Sequence, residues 1–561
     1  MRANTYRFRL AAVVVATIGA AAQVQALPLK ESYREYDGGI EVPAFDAGTS
    51  TSGGVTFSGP SSPFAGVTVR GFQGASQYDA ASFGRNFIPP DTMGAVGTTQ
   101  FVEPLNGVYA IFDKATGVAL SKVSDVAFWA AAGQTGANGD SRVMFNKDSS
   151  KWVVLSFGAS TSQIQIAVSD TADALGTWKS TKFTGFAGGT ADYPTLAMDK
   201  NAIYIGTNNF KVGCDPSAPA ANRFCGTTLN AIPLNSVFAA GGPSTTNMKE
   251  FVTPYTYGVG TDLDRGFAQQ GVNSSTAGST GKIVANSLFI GDNLTFKVTG
   301  LSPSSASGAA LTGATYLGVS PLSDAGPGRQ PATIVANQRV VDVLDQRISS
   351  SVYEVGGRIY SLQTVDGGAD FARVRYTIVD SASGAILDQG NIGTGGFDYY
   401  QASLAVNSKG HVVIGYNRSG LSTADANGDG IADGVISFMA ETFITDALGH
   451  LLQVGDEILL KASDTTDYHN GSVFGLPAAG RQRWGDYSQV SLDPNNEDDF
   501  WLVGQFAREY NLPAFGHPGG TGGSRWGTWI ADITFVVVPE PGSLALVLGG
   551  IAVLVARRRR A

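Results

Sequence analysis

One pattern recurs along this chain and limits what it can fold into. A polar or aromatic entry leads into a short apolar strand, then a turn, then a second strand. Asp192 to Asn208 is the clearest copy, and Tyr399 to Asn417 and Asp486 to Gly504 repeat it. Ser141 to Phe157 is a fourth, with weaker copies near Asp91 and Arg347 and a degenerate one near Arg265. Asn146, Asp199, Asn407 and Asp493 each end the first strand, where a hairpin needs residues that tolerate left-handed backbone. Hairpins repeated at this spacing bury both faces of every sheet most economically when the sheets are set around a ring. The expectation is an all-β propeller over residues 87–537, of six or seven blades, seven favoured. Gly527 to Phe535 reads as a late strand that helps to close the ring. Residues 27–86, rich in Gly, Ser and Ala, read as a flexible lead with one or two strands.

Composition agrees. Only 15% of residues are charged and 10% are aromatic, with 72 glycines, which suits an extracellular β protein better than a helical one.

Both ends carry export features. Arg2, Arg7 and Arg9 precede the small apolar run Leu10 to Ala22, and Val24 to Ala26 has the form of a cleavage site, so residues 1–26 read as a signal peptide. At the other end, Val538, Pro539, Glu540 and Pro541 precede an apolar run, Gly542 to Ala556, and the basic cluster Arg557 to Arg560. As a helix that run spans roughly 22 Å, short for a hydrocarbon core of about 30 Å. The arginines set its cytoplasmic end. Residues 538–561 resemble the PEP-CTERM sorting signal of exported bacterial proteins: motif, transmembrane helix and Arg tail in order. The resemblance implies processing by an exosortase after transient anchoring in the inner membrane. It also implies delivery to the cell surface, outer envelope or extracellular matrix.

The chain carries a net charge of −9. Loss of both terminal segments would leave a body of about −15, a poor partner for nucleic acid or anionic lipid. Cys214 and Cys225 flank a stretch of loop composition and are expected to pair as a disulfide in an exported protein.

Asp425, Asn427 and Asp429, with the Ile431 carbonyl and Asp433, have the oxygen spacing of an extracellular Ca²⁺ loop, turned at Gly430. The bidentate Glu of an EF-hand is missing, since Ile436 holds that place. The spacing resembles dockerin-type loops, and the expected role is structural. Ser169, Asp173, Gly176 and Trp178 resemble the Asp-box of sialidase-type propellers, a motif that locks a hairpin away from the catalytic face.

Residues 89–97, 192–196 and 483–488 together resemble largely uncharacterised secreted bacterial proteins described as sialidase-like propellers. Residues at the blade entries would surround the central channel: Asp91, Arg142, Asp192, Tyr193, Arg265, Arg347, Tyr399, Arg483 and Asp486. Converging arginines can grip a carboxylate bidentately, and a tyrosine backed by a carboxylate can act as a nucleophile. A sialidase-type glycoside hydrolase is therefore the alternative to the leading reading. That reading is a surface-sorted binding or matrix protein with a polysaccharide or surface-protein partner. The four histidines show no metal spacing, and no nucleophilic serine elbow or nucleotide-binding motif is present.

Overall fold

A computed structural model describes residues 29–30, 33–34, 40–41, 67–259, 262–319, 321–331, 341–426, 428, 430–465, 468, 482–510 and 524–535. The signal peptide, the sorting signal with its transmembrane helix, Asn427 and Asp429 lie outside them. Among the described residues no helix is long and apolar enough to cross a membrane.

The protein is an all-β propeller. Each blade is an antiparallel meander whose first strand lies innermost. Blade 1 occupies residues 95–123, blade 2 residues 142–184 and blade 3 residues 190–254. Blade 4 occupies residues 397–462 and blade 5 residues 489–535. Between blades 3 and 4 lies a nine-stranded double sheet, formed from meanders at residues 267–316 and 352–392. Among the described residues the separate blades number five, not the expected six or seven. The cause is local. Phe267–Ser274 and Val352–Val355 pair in parallel, with Val272 opposite Val352 and Ser274 opposite Glu354, which fuses two meanders into one sheet.

The ring closes through a strand that the sequence placed in the flexible lead. Val67–Ser76 pairs antiparallel with Ser524–Phe535, which in turn pairs with Asp499–Tyr510. Blade 5 therefore takes its outermost strand from near the N-terminus, and the propeller begins at residue 67, not at 87. The Gly/Ser-rich composition around this strand hid it. Val67 and Val69 pack on one face with Trp529 and Ile533, and Phe72 packs on the other with Ile530, contacts that exist only once the two strands pair.

Neighbouring sheets share apolar cores. Trp152 of blade 2 packs with Tyr109 of blade 1, and Ile164 and Ile166 pack with Ile203 and Ile205 of blade 3. Tyr204 meets Ile283 and Phe296 of the double sheet, whose Tyr360 and Val374 meet Leu404 and Tyr416 of blade 4. Val413 and Phe438 pack on Leu502 and Ile533 of blade 5, and Trp501 and Ile530 pack on Phe101 and Val108 of blade 1. Strands such as Lys151–Phe157 are buried on both faces, as sheets stacked around an axis require. Gly504 marks one close approach: a Cβ there would lie 2.3 Å from the Phe438 ring.

The Asp-box-like turn is structural. Asp173 accepts from the Gln100 side chain at 2.8 Å, and Ala174 N donates back to Gln100 at 2.7 Å, clipping blade 2 to blade 1. Trp178 Nε1 donates to the Ala174 carbonyl. A disulfide joins Cys214, just past the hairpin end where Val212 faces Asn222, to Cys225 within the strand Asn222–Pro233. A disulfide suggests an extracellular location.

Candidate functional site

The innermost strands enclose a cavity of about 550 Å³, within the range of about 300–1,000 Å³ usual for small-molecule sites. Its inner wall includes Met93, Arg142, Gln270, Ser351 and Gln489 from the strand entries. Its outer wall is made by hairpin turns carrying Lys147, Asp148, Lys200, Ser408 and Glu497. Lys200 of these turns pairs with Asp148, and the lining carboxylates Asp493 and Glu354 pair with Lys114 and Lys282.

Beside the cavity, the blade entries form a buried polar and aromatic cluster. Asp91, Asp140 and Tyr193, just before innermost strands, and Ala268 and Gln401, at register shifts within them, all have φ between 49° and 53°. Left-handed backbone is uncommon outside glycine, so its recurrence at equivalent positions marks a shared construction. It turns the chain sharply inward and sets the next side chains on the axis.

In this cluster Tyr193 and Tyr487 lie ring against ring, with centroids 4.6 Å apart. Arg142 lies 3.5 Å over the Tyr487 ring and 5.4 Å from that of Tyr193. Arg347 lies 4.5 Å from the Tyr193 ring on another side. Arg347 is held bidentately by Asp345, at 2.9 and 2.7 Å. Arg483 donates to Asp342 at 2.8 Å and to Asp486 at 3.0 Å. The buried carboxyls of Asp91 and Asp140 lie close enough to perturb each other. Burial pushes Asp91 far above the usual carboxylate range, and the neighbouring Asp140 pushes it further. Asp140 accepts from the Tyr487 hydroxyl at 3.0 Å. Burial, with the charges of Asp192 and Asp486, raises Asp140 to about 7.

Of the residues proposed from sequence, Arg142, Tyr193, Arg347, Arg483 and Asp486 gather here, with Asp91 and Asp192 among them. Arg265 and Tyr399 do not. Arg265 donates to the Thr312 carbonyl at 2.6 Å and covers Phe296 in the double sheet. Tyr399 packs on Tyr416 in blade 4. Tyr193 is buried, burial raises its pKa, and its hydroxyl donates to the Asp486 backbone carbonyl at 3.4 Å. Sequence reasoning missed Asp140, Asp342, Asp345 and Tyr487. Asp140 and Tyr487 occupy the same entry slot as Asp91 and Tyr193, and aligning the repeats would have found them.

In the Ca²⁺-type loop, Asp425 accepts from Gly430 N at 2.9 Å and Asp433 from Ala426 N at 3.2 Å. Among the described residues no group of three or more His, Cys, Asp or Glu side chains is set to hold a metal ion.

No protein-family model and no curated protein matches the chain. Among solved structures it is similar to a protein of unknown function from Dyadobacter fermentans, at 10% identity over 79% of this chain and 94% of that one, with a TM-score of 0.35. It is similar to an endo-arabinase from Bacteroides thetaiotaomicron, at 11% identity over 72% and 94%, with a TM-score of 0.28. A thermostable family-43 glycoside hydrolase gives 13% identity over 59% and 96%, also at 0.28. Scores this low carry no argument about function, and the propeller rests on its own sheet order.

Proposed function

We propose that this protein is an exported propeller that binds carbohydrate at the cell surface or in the extracellular matrix, with an exopolysaccharide or surface-protein partner. The observation that carries the reading is the axial cavity, walled by polar side chains such as Asn146, Ser274, Ser351, Gln489 and Ser491. Sugar hydroxyls need closely spaced donors and acceptors, and a rigid ring holds these in place. Arg347 and Arg483 are engaged by carboxylates, and Tyr193 has a carbonyl rather than a base at its hydroxyl, which favours binding over catalysis.

The disulfide supports export. In this reading residues 1–26 are removed on export, and an exosortase acts at Val538–Pro541 after transient anchoring in the inner membrane. Ca²⁺ would bind Asp425, Asn427, Asp429, Asp433 and the Ile431 carbonyl. The support is that Asp425 and Asp433 close the same turn. Chelation should then lower the melting temperature, and millimolar Ca²⁺ should restore it.

The alternative, a sialidase-type glycoside hydrolase, is favoured by one observation: Arg142 and Arg347 flank Tyr193. A glycan array with a fluorogenic glycoside panel separates the two readings. Retention of glycans without turnover is expected. Turnover abolished by Arg347→Ala would instead establish the hydrolase.

A further inference from the structure

We infer that the entry end of the ring is a peptide socket, which the chain fills with its own N-terminal residues as a releasable plug. The plug is basic and aromatic; the socket is aromatic at its floor and acidic at its rim.

Leu29, Lys30, Tyr33 and Arg34 come from the stretch whose composition reads as a lead, yet Leu29 is 3% exposed and Tyr33 is fully buried. Both join the apolar cluster of the blade entries, with Met93, Tyr193, Phe267, Ala268 and Tyr487. Those five lie in or lead into blade 1, blade 3, the double sheet and blade 5, so the two side chains sit over the axis and not against a single blade. The Tyr33 ring lies parallel to that of Phe267, with centroids 4.0 Å apart and planes 5° apart. Lys30 N donates to the Leu288 carbonyl at 3.2 Å, and Phe224 N donates to the Arg34 carbonyl at 3.2 Å. Further along, Ile40–Glu41 pairs antiparallel with Phe87–Ile88.

Charge matches as well as shape. The negative charges of Asp324, Asp345, Asp264 and Asp292 all act on the Lys30 ammonium, and the charge of Arg34 acts on Asp215. Complementary charge of this kind selects a partner and steers its docking. Release follows from how loosely the polar atoms are held. Among the described residues, two backbone hydrogen bonds tie Lys30 and Arg34 to the sheets. The Lys30 ammonium and the Tyr33 hydroxyl are buried with no hydrogen-bond partner. Water would satisfy both, so undocking returns part of what the burial of Leu29 and Tyr33 gains. Docked, these residues cover Tyr193 and Tyr487 at the entry end, while the cavity lies toward the hairpin turns at the other. The two ends of the axis therefore serve different partners, a peptide and a small ligand.

The test uses the full secreted protein with a protease site inserted between Gly38 and Gly39 and cut after folding. Residues 27–38 are expected to stay bound after the cut and to exchange with a fluorescein-labelled synthetic copy, read by fluorescence polarisation. A Tyr33→Ala peptide should compete at least about tenfold more weakly, because it lacks the buried ring. Capture should weaken as salt is added. Uncut Tyr33→Ala protein gives a reading that needs no cut: it should capture the labelled peptide, whereas the uncut parent should not. Loss of the cut segment with no capture of its labelled copy overturns the socket. Equal competition by the Tyr33→Ala peptide overturns the role of the ring. Equal capture by the uncut parent and the cut protein overturns the plug. An uncut dimer that the peptide dissociates overturns filling by the chain's own residues.

Discussion

Arg483 donates to Asp342 and Asp486 at once, and all three side chains are buried. Removing the cation would leave two carboxylates in a dry site with no water to replace it. Arg483→Ala is expected to lower stability by about 3–5 kcal/mol in urea unfolding. Arg265→Ala should cost far less, because Arg265 is only partly buried and gives up one bond to a carbonyl. Equal losses in the two variants would show that the Arg483 cluster does not hold the ring. The residue types at the blade entries were legible from the repeats. Which arginine is neutralised was not, since Asp342 and Asp345 lie outside any repeat copy and reach the axis only through the fold.

The decisive element is Val67–Ser76. Without it, Ser524–Phe535 becomes an open edge that exposes unpaired backbone groups beside Trp529 and Ile530. A chain begun at residue 87 should aggregate or melt at least about 10 °C lower than the longer protein. A similar loss is expected for Gly71→Val, since a Cβ at that position would lie 2.4 Å from Trp529 Nε1. Differential scanning fluorimetry decides both. Hairpin turns at Asn146, Asp199, Asn407 and Asp493 were readable locally because turn chemistry is local. The closure strand was not, because its partner lies more than 450 residues away and pairing at that distance leaves no short-range mark.

At the scale of the whole molecule, several buried carboxyls titrate high. Burial raises Glu103, Asp140 and Glu441 to about 7 and Asp532 to about 6. Each binds a proton in the folded state at a pH where the unfolded chain has released it. Stability therefore falls as pH rises through the window from about 4 to about 7. The surface carboxylates Asp113, Asp380 and Asp446 lie below their usual range, through hydrogen bonds from Thr116, Ser383 and His450. Their contribution is lost only at lower pH, which sets a maximum in mildly acidic solution. Melting temperature should drop between pH 5 and pH 8, and the fall in unfolding free energy over that interval should be smaller in Asp140→Asn by roughly 1–3 kcal/mol. A melting temperature that rises over this interval would contradict the buried cluster.

Sequence alone determined the class of the fold and the places where chemistry could gather. Alternating strands, turn residues and repeated entries follow from interactions within a few residues, and a propeller is what such units build. The tertiary structure decided the number of separate blades, the origin of the closing strand and the fate of each charge on the axis. Those depend on contacts between distant segments: a parallel pairing of Val272 with Val352, the strand Val67–Ser76 seated beside Ser524–Phe535, and carboxylates brought to Arg347 and Arg483.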